Sequence, residues 1–406
     1  MLPARHAELE SDSGRPRNTL QRATFLALLA IAIALAAGGC GKDTPSPVEV
    51  RVNEATGEDG GLGFPAAATK NTTRVGGKSP IEDAAGVAAA VFPSQVPSQR
   101  PKLVTLVDAV DWRGGIAAAG LTAPPLGAPI LLTNGQALPE ATGDALDALH
   151  PTGSAEAGAQ TMSIGKAAVP GGYRNRQITG ADAFALADAI DLFLSKVSGR
   201  PAENVLVASA DNAAFAMPAA GWAAKSGEPV LFTRRDELPA ATVRAIRRHD
   251  HPNIYVLGPR NVISEFVLDG LKRLGRVKRV GGRTPTTNSI EFARYSDGTF
   301  GWGVDDPGHG LVFAHVGRAQ DAAAGAALSA NGAHGPLLVT DSSDALPAAL
   351  ANYLLDIQPG YRFDPVRGVY NHAWLMGDES AISTAVQAKI DSLSEIARVK
   401  RQGRGV

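Results

Sequence analysis

A short apolar run occurs three times along the chain, as Pro129-Ile130-Leu131-Leu132-Thr133, Pro229-Val230-Leu231-Phe232-Thr233 and Pro336-Leu337-Leu338-Val339-Thr340. Each follows small residues that include a glycine (Gly127, Gly227, Gly335). Each is followed a few residues later by a Leu-Pro pair: Leu138-Pro139, Leu238-Pro239 and Leu346-Pro347. Apolar runs of this length bounded by Gly and Pro read as strands buried on both faces. The Leu-Pro pair then starts a helix, because proline fits the first helical turn, where its missing N–H costs nothing. One such unit is an ordinary α/β fragment. Three of them, at intervals of roughly a hundred residues, are an internal repeat of domain size.

Around each run strands and helices alternate. In the first unit an Ala-rich helix (81–91) precedes a strand at 102–107, a helical stretch at 115–121 and, beyond the Leu-Pro helix, a strand at 161–164. The second unit is the clearest, with strands at 204–209 and 253–258 and helices at 213–225, 239–248 and 264–274. In the third, strands at 310–315 and 369–375 flank a helix of small residues, 319–330, and a helix at 345–355, and a helix at 382–393 ends the unit. Short Gly-bounded turns between such elements predict parallel sheets with right-handed crossovers. The fold class is therefore α/β, as three tandem Rossmann-like parallel-sheet domains at 72–175, 176–278 and 279–396, with a basic tail at 397–406.

The N-terminus reads as an address. Arg5, Arg15, Arg17 and Arg22 precede an apolar segment from Thr24 to Ala37, which ends in Gly38-Gly39-Cys40. A positive region, an apolar stretch and a small-residue end make a signal peptide, 1–39. The apolar stretch is shorter than the ~20 residues of a spanning helix. Cys40 directly after it resembles a bacterial lipobox, and this resemblance implies lipidation of Cys40 and attachment to the membrane. Residues 40–71 are rich in Pro, Gly, Asp and Glu and read as a disordered tether.

Composition narrows the function. A formal net charge of −1 excludes a nucleic-acid binder driven by bulk positive charge. A single cysteine allows neither an intramolecular disulfide nor a four-Cys zinc site. Aromatic residues are 5%, so the cores rely on small aliphatic side chains.

The ordered string Ile178-Thr179-Gly180, Val205-Leu206-Val207-Ala208-Ser209, Pro229 to Thr233, Leu238-Pro239 and Ile254-Tyr255-Val256-Leu257-Gly258 resembles the cell wall-binding repeat type 2 family of bacterial surface proteins. The resemblance spans about residues 74–393. It implies three domains in a pseudo-threefold arrangement, and non-covalent attachment to anionic cell-wall polymers near the Pro-Ile-Leu-Leu segments. The family's usual Arg-Tyr-x-Thr-Ala opening is replaced here by Gly180-Ala181-Asp182-Ala183-Phe184.

A polyanion needs fixed donors on a near-neutral protein, and helix N-termini after the strands of an α/β sheet supply them. The candidate contacts are Thr133 and Asn134, Thr233 with Arg234 and Arg235, and Thr340 with Ser342. Arg234-Arg235 is the best basic pair for a bidentate contact. Arg74 and Arg283, beside the Val-Gly-Gly openings, and Arg318, after the strand ending at His315, join the set. Unit three carries Asp341 where unit two has Arg234, so the three sites are not equivalent. His249-Asp250-His251 lacks further metal ligands in sequence, no G-x-G-x-x-G, Gly-x-Ser-x-Gly or His-Glu-x-x-His motif occurs, and neither cofactor nor catalysis is expected. Two other readings stay open: a tethered solute-binding protein with a deep interdomain cleft, and a hydrolase using a buried carboxylate such as Asp211 or Asp305.

Overall fold

The computed structural model describes residues 66–399. Cys40, the signal segment, most of the tether and the tail beyond Val399 lie outside them. A hairpin, β1 (Ala66–Ala68) and β2 (Thr72–Val75), leads into α1 (Pro80–Val91), β3 (Val104–Asp108), α2 (Trp112–Ala118), β4 (Ile130–Thr133), α3 (Glu140–Leu149) and β5 (Thr161–Ile164). The second repeat runs β6 (Asn175–Ile178), α4 (Ala183–Ser198), β7 (Asn204–Ser209), α5 (Ala213–Ala216), α6 (Pro218–Ser226), β8 (Val230–Thr233), α7 (Ala240–Arg247), β9 (Asn253–Leu257) and α8 (Glu265–Lys272). The third runs β10 (Arg276–Val280), α9 (Pro285–Arg294), β11 (Gly310–His315), α10 (Asp321–Ala324), β12 (Leu337–Thr340), α11 (Ala348–Asp356), β13 (Gly360–Tyr361), β14 (His372–Met376), α12 (Thr384–Ser394) and β15 (Ala397–Arg398).

These strands form three sheets with one shared order: β4-β3-β5-β6, β8-β7-β9-β10 and β12-β11-β14-β2-β1. Every pairing within them is parallel except the hairpin β1–β2. The fourth position is the informative one. β6 opens the second repeat but completes the first sheet, and β10 opens the third repeat but completes the second sheet. β2, at the front of the chain, pairs with β14 near its end, matching Ala373 with Thr72 and Met376 with Val75. The sequence repeat and the sheet are thus offset by one strand, and the offset closes three Rossmann-like sheets into a ring. Every strand of these sheets comes from within Ala66–Met376, so none depends on the signal segment.

The recurring apolar run supplies the innermost chemistry. β4, β8 and β12 are buried at every position, as are β3, β5 and β7. A strand covered on both faces has no solvent side to alternate with, which is why these segments read as continuous apolar runs. The helices of small residues meet at the hub, where α2, α6 and α10 pack on one another. A Cβ on Gly115 would lie 2.9 Å from the Cβ of Ala323, and one on Gly221 would lie 2.9 Å from Ser329 Oγ. Only glycine allows these approaches.

Several boundaries differ from the sequence expectation, each for a physical reason. Part of the supposed tether is ordered, because β1 pairs with β2 and the buried Asn71 donates its backbone N–H to Asp391 Oδ1 at 2.8 Å. Pro139, Pro239 and Pro347 stand at the N-cap and not inside the first turn, with extended backbone (ψ 151°, 145° and 139°). The stretch after Arg283, given no element from sequence, holds α9, whose start is fixed by a reciprocal cap between Thr284 and Thr287. The expected helix 319–330 breaks after Ala324 and resumes as a π-turn at Leu328–Gly332. Residues 369–371 precede β14 as loop and are not strand.

Candidate functional site

In each repeat the loop following the apolar strand sits at the carboxyl edge of its sheet. The threonine that ends each strand anchors that loop. Thr133 Oγ1 donates to Gly135 O (3.1 Å), Thr233 Oγ1 to Glu237 O (2.6 Å) and Thr340 Oγ1 to Ser342 O (2.9 Å). All three side chains are buried, so they shape the turn and do not face a ligand. The side chains of Pro129 to Leu132, Pro229 to Phe232 and Pro336 to Val339 are core packing in the same way.

What each loop presents outward differs. The first offers exposed Asn134, with Asp108 Oδ1 accepting from the backbone N–H groups of Gly135 and Val110. The second offers Arg234 and Arg235, both more than half exposed. Arg234 pairs with Asp211 at 3.1 Å and Glu237 at 3.6 Å, and its guanidinium sits 5.4 Å from the Phe184 ring centroid. Arg235 pairs with Asp236 at 3.1 Å and donates its backbone N–H to Asp211 Oδ2. The third loop offers half-buried Ser342 beside exposed Asp341. Beyond the loops, α3, α7 and α11 each start on a proline N-cap that has no side-chain hydrogen bond. The first amides of α7 and α11 therefore carry partial positive charge with no acidic residue in the first turn, whereas Glu140 stands in the first turn of α3.

Two of the arginine candidates are structural as well. Arg74 is 4% exposed, and its guanidinium donates to Gln387 Oε1 (2.9 Å) and to the backbone oxygens of Gly377 (2.9 Å), Asp378 (2.9 Å) and Ile382 (2.6 Å). It locks β2 to the last strand of the ring. Sheet register gives Arg279 and Gln177 the same place in the other two sheets. They use it the same way, toward Gly258 O (2.8 Å) and Gly165 O (3.2 Å). Arg279 was legible as the arginine of the second Arg-Val-Gly-Gly. Arg318 is likewise drawn inward, to Asp83 and, at 2.7 Å, to Asp321, which joins the third repeat to α1. Arg283 remains exposed.

The other readings find little geometry. Asp211 and Asp305 are exposed and ion-paired to Arg234 and Arg294, so neither is the buried acid a hydrolase requires. A cavity of about 440 Å³ is lined by Arg279, Glu291, Arg294 and Tyr295, and one of about 220 Å³ by Asp191, Arg200, Glu203 and Glu228. Neither gathers the loop residues above. His249 is buried with Nε2 against Asp191 (2.9 Å) and Nδ1 against Ala202 O (3.0 Å), which leaves no ring nitrogen for a metal.

Three parallel α/β sheets joined in a ring, with polar loops at the carboxyl edges, define the class of fold. Residues 177–268 match the family model described as Cell wall binding domain 2. The chain is 30% identical over 197 residues to the amidase enhancer of Bacillus subtilis (strain 168), an alignment spanning 48% of this chain and 24% of that protein. Among solved structures it is similar to Cwp6 from Clostridium difficile (TM-score 0.62, 17% identity, 86% of this chain and 51% of that one). It is also similar to Cwp8 from the same organism (TM-score 0.61, 18% identity, 80% and 51%). The chain thus spans about a quarter of the curated relative and about half of each solved neighbour. The domain match supports association with the cell wall or cell surface.

Proposed function

We propose that this chain is a non-catalytic cell-surface lipoprotein that binds anionic cell-wall polymer through the carboxyl-edge loops of its three repeats. The observation that carries the reading is the coincidence of the domain match with one loop geometry built three times: a buried threonine anchor, an outward polar residue and an uncapped helix start. Exposed Arg234 and Arg235, with Arg283, are the cations that favour an anionic ligand. Lipidation at Cys40 would leave the ring on the outer side of the cytoplasmic membrane, with the tether reaching toward the wall.

Sedimentation of the unlipidated protein with purified cell walls, before and after acid extraction of their anionic polymers, tests the proposal. Binding should fall after extraction, and the Arg234→Ala/Arg235→Ala variant should bind untreated walls about tenfold more weakly, the size of one or two charge-assisted hydrogen bonds. Binding indifferent to extraction would remove the polyanion.

A further inference from the structure

The loop between α11 and β14 is where the third repeat departs from its siblings. Between the corresponding helix and strand residues 150–160 intervene in the first repeat and only 248–252 in the second, whereas here residues 357–371 do. The excess is not filler. Of the twelve large apolar side chains exposed among the described residues, five belong to this loop and the strand beside it: Phe363, Val366, Val369, Tyr370 and Val399. Phe363 is 92% exposed and Val366 81%. The segment is nonetheless built. β13 pairs with β15, the Val399 N–H donates to Tyr361 O at 2.9 Å, and the Tyr370 hydroxyl donates to Pro365 O at 3.0 Å. Asp364 caps the short turn Pro365–Arg367.

Arg362, Arg367 and Arg398 are interleaved with these side chains and exposed, and no described carboxylate pairs with any of them. The one acidic side chain inside the loop, Asp364, accepts from the Val366 N–H. Immediately after Val399 the sequence continues with Lys400, Arg401 and Arg404. Apolar and aromatic groups at a tip, ringed by unpaired arginines, match the boundary between acyl chains and anionic headgroups: the rings enter, and the guanidiniums stay at phosphate level. A protein partner would have to supply carboxylates to all three arginines, whereas an anionic headgroup layer supplies the negative charge together with the apolar phase that Phe363 and Val366 require.

We propose that this face docks the ring on an anionic lipid bilayer, with Phe363 and Val366 inserted and Arg362, Arg367 and Arg398 on the headgroups. The surface is separate from the carboxyl-edge loops and does not depend on the wall-binding reading. It also does not require the acyl group at Cys40.

The test uses the chain from Glu49 to Val406, which retains every strand of the three sheets, all within Ala66–Met376. It is mixed with vesicles of phosphatidylcholine alone or with phosphatidylglycerol. Binding to the anionic vesicles is expected, weakening with salt. Phe363→Ala should lower it about tenfold or more and each Arg→Ala about fivefold, with wall sedimentation unchanged. Equal binding to both vesicles, no binding to either, or full binding by Phe363→Ala would overturn it. So would self-association in analytical ultracentrifugation that Phe363→Ala abolishes, which would make the face a contact between copies.

Discussion

Asp83 and Asp321 are both fully buried, and one guanidinium, that of Arg318, serves both. Asp83 Oδ1 also accepts from the Gly77 N–H at 2.8 Å, while Asp321 Oδ1 has no partner among the described residues. Burial, and after it the neighbouring Asp321 charge, push the Asp83 carboxyl up to about 8, against the pull of Arg318; burial raises Asp321 as well. A carboxyl raised on folding holds its proton more tightly in the folded chain. Its stabilising contribution is therefore complete below the unfolded value of 3.8 and is lost as pH climbs through about 8. The expected result is a melting temperature that declines from pH 6 to pH 9 in the native chain and declines less in Asp83→Asn. The substitution has a precedent in the chain: Asn288 stands six residues after its Val-Gly-Gly, as Asp83 does. Parallel pH profiles for the two proteins would show that Asp83 is ionised throughout. None of this was visible in sequence, where Arg318 read as a surface contact. One of its two partners, Asp83, lies on a helix of another repeat, and spacing along the chain does not reveal pairings across a ring.

At the scale of elements the sequence was most informative where burial is two-sided. The Pro-x-x-x-Thr runs and the 204–209 and 253–258 strands lie where the apolar pattern puts them, because a parallel strand covered on both faces, even at the end of its sheet, leaves no polar face to confuse the reading. The opening strands were missed. β6 and β10 are edge strands with polar or charged positions (Asn175-Arg176-Gln177, Arg276-Val277-Lys278-Arg279), so they lack that signature. The hub helices were legible from their small residues, though not the contact that requires them. Gly115→Ala should place its Cβ against that of Ala323 and cost about 1–3 kcal/mol. Ala323→Gly alone should cost up to about 1 kcal/mol of helix propensity. The double variant should cost less than the sum, since each change relieves the other. Additive losses in denaturant unfolding would mean that the hub gives way without strain at this pair.

For the whole molecule the decisive fact is which strand completes which sheet. The repeat length could be read from the sequence, but a repeat taken alone does not say whether its first strand belongs to itself or to its predecessor. Only the hydrogen bonds from Ala373 N to Asn71 O and from Gly377 N to Val75 O reveal that the first strand closes the last sheet. A chain linked end to end in this way cannot lose one sheet without exposing the edge of the next, so the three should unfold together. Beginning the chain at Lys78 removes β1, β2 and the Arg74 clamp, leaving β14 with an open edge and the buried carbonyls of Gly377 and Ile382 without their donor. Each such carbonyl costs about 1–3 kcal/mol. The intact chain should melt in a single transition. The shortened one should melt at lower temperature, with hydrogen exchange accelerating first at Ala373 to Met376 and in α12, and only then in the sheet containing β7. Uniform acceleration across all three sheets would mean that loss of the N-terminal strand is felt through the whole ring at once and not first at β14. No acceleration at β14 would mean that the N-terminal strand decorates a sheet already complete.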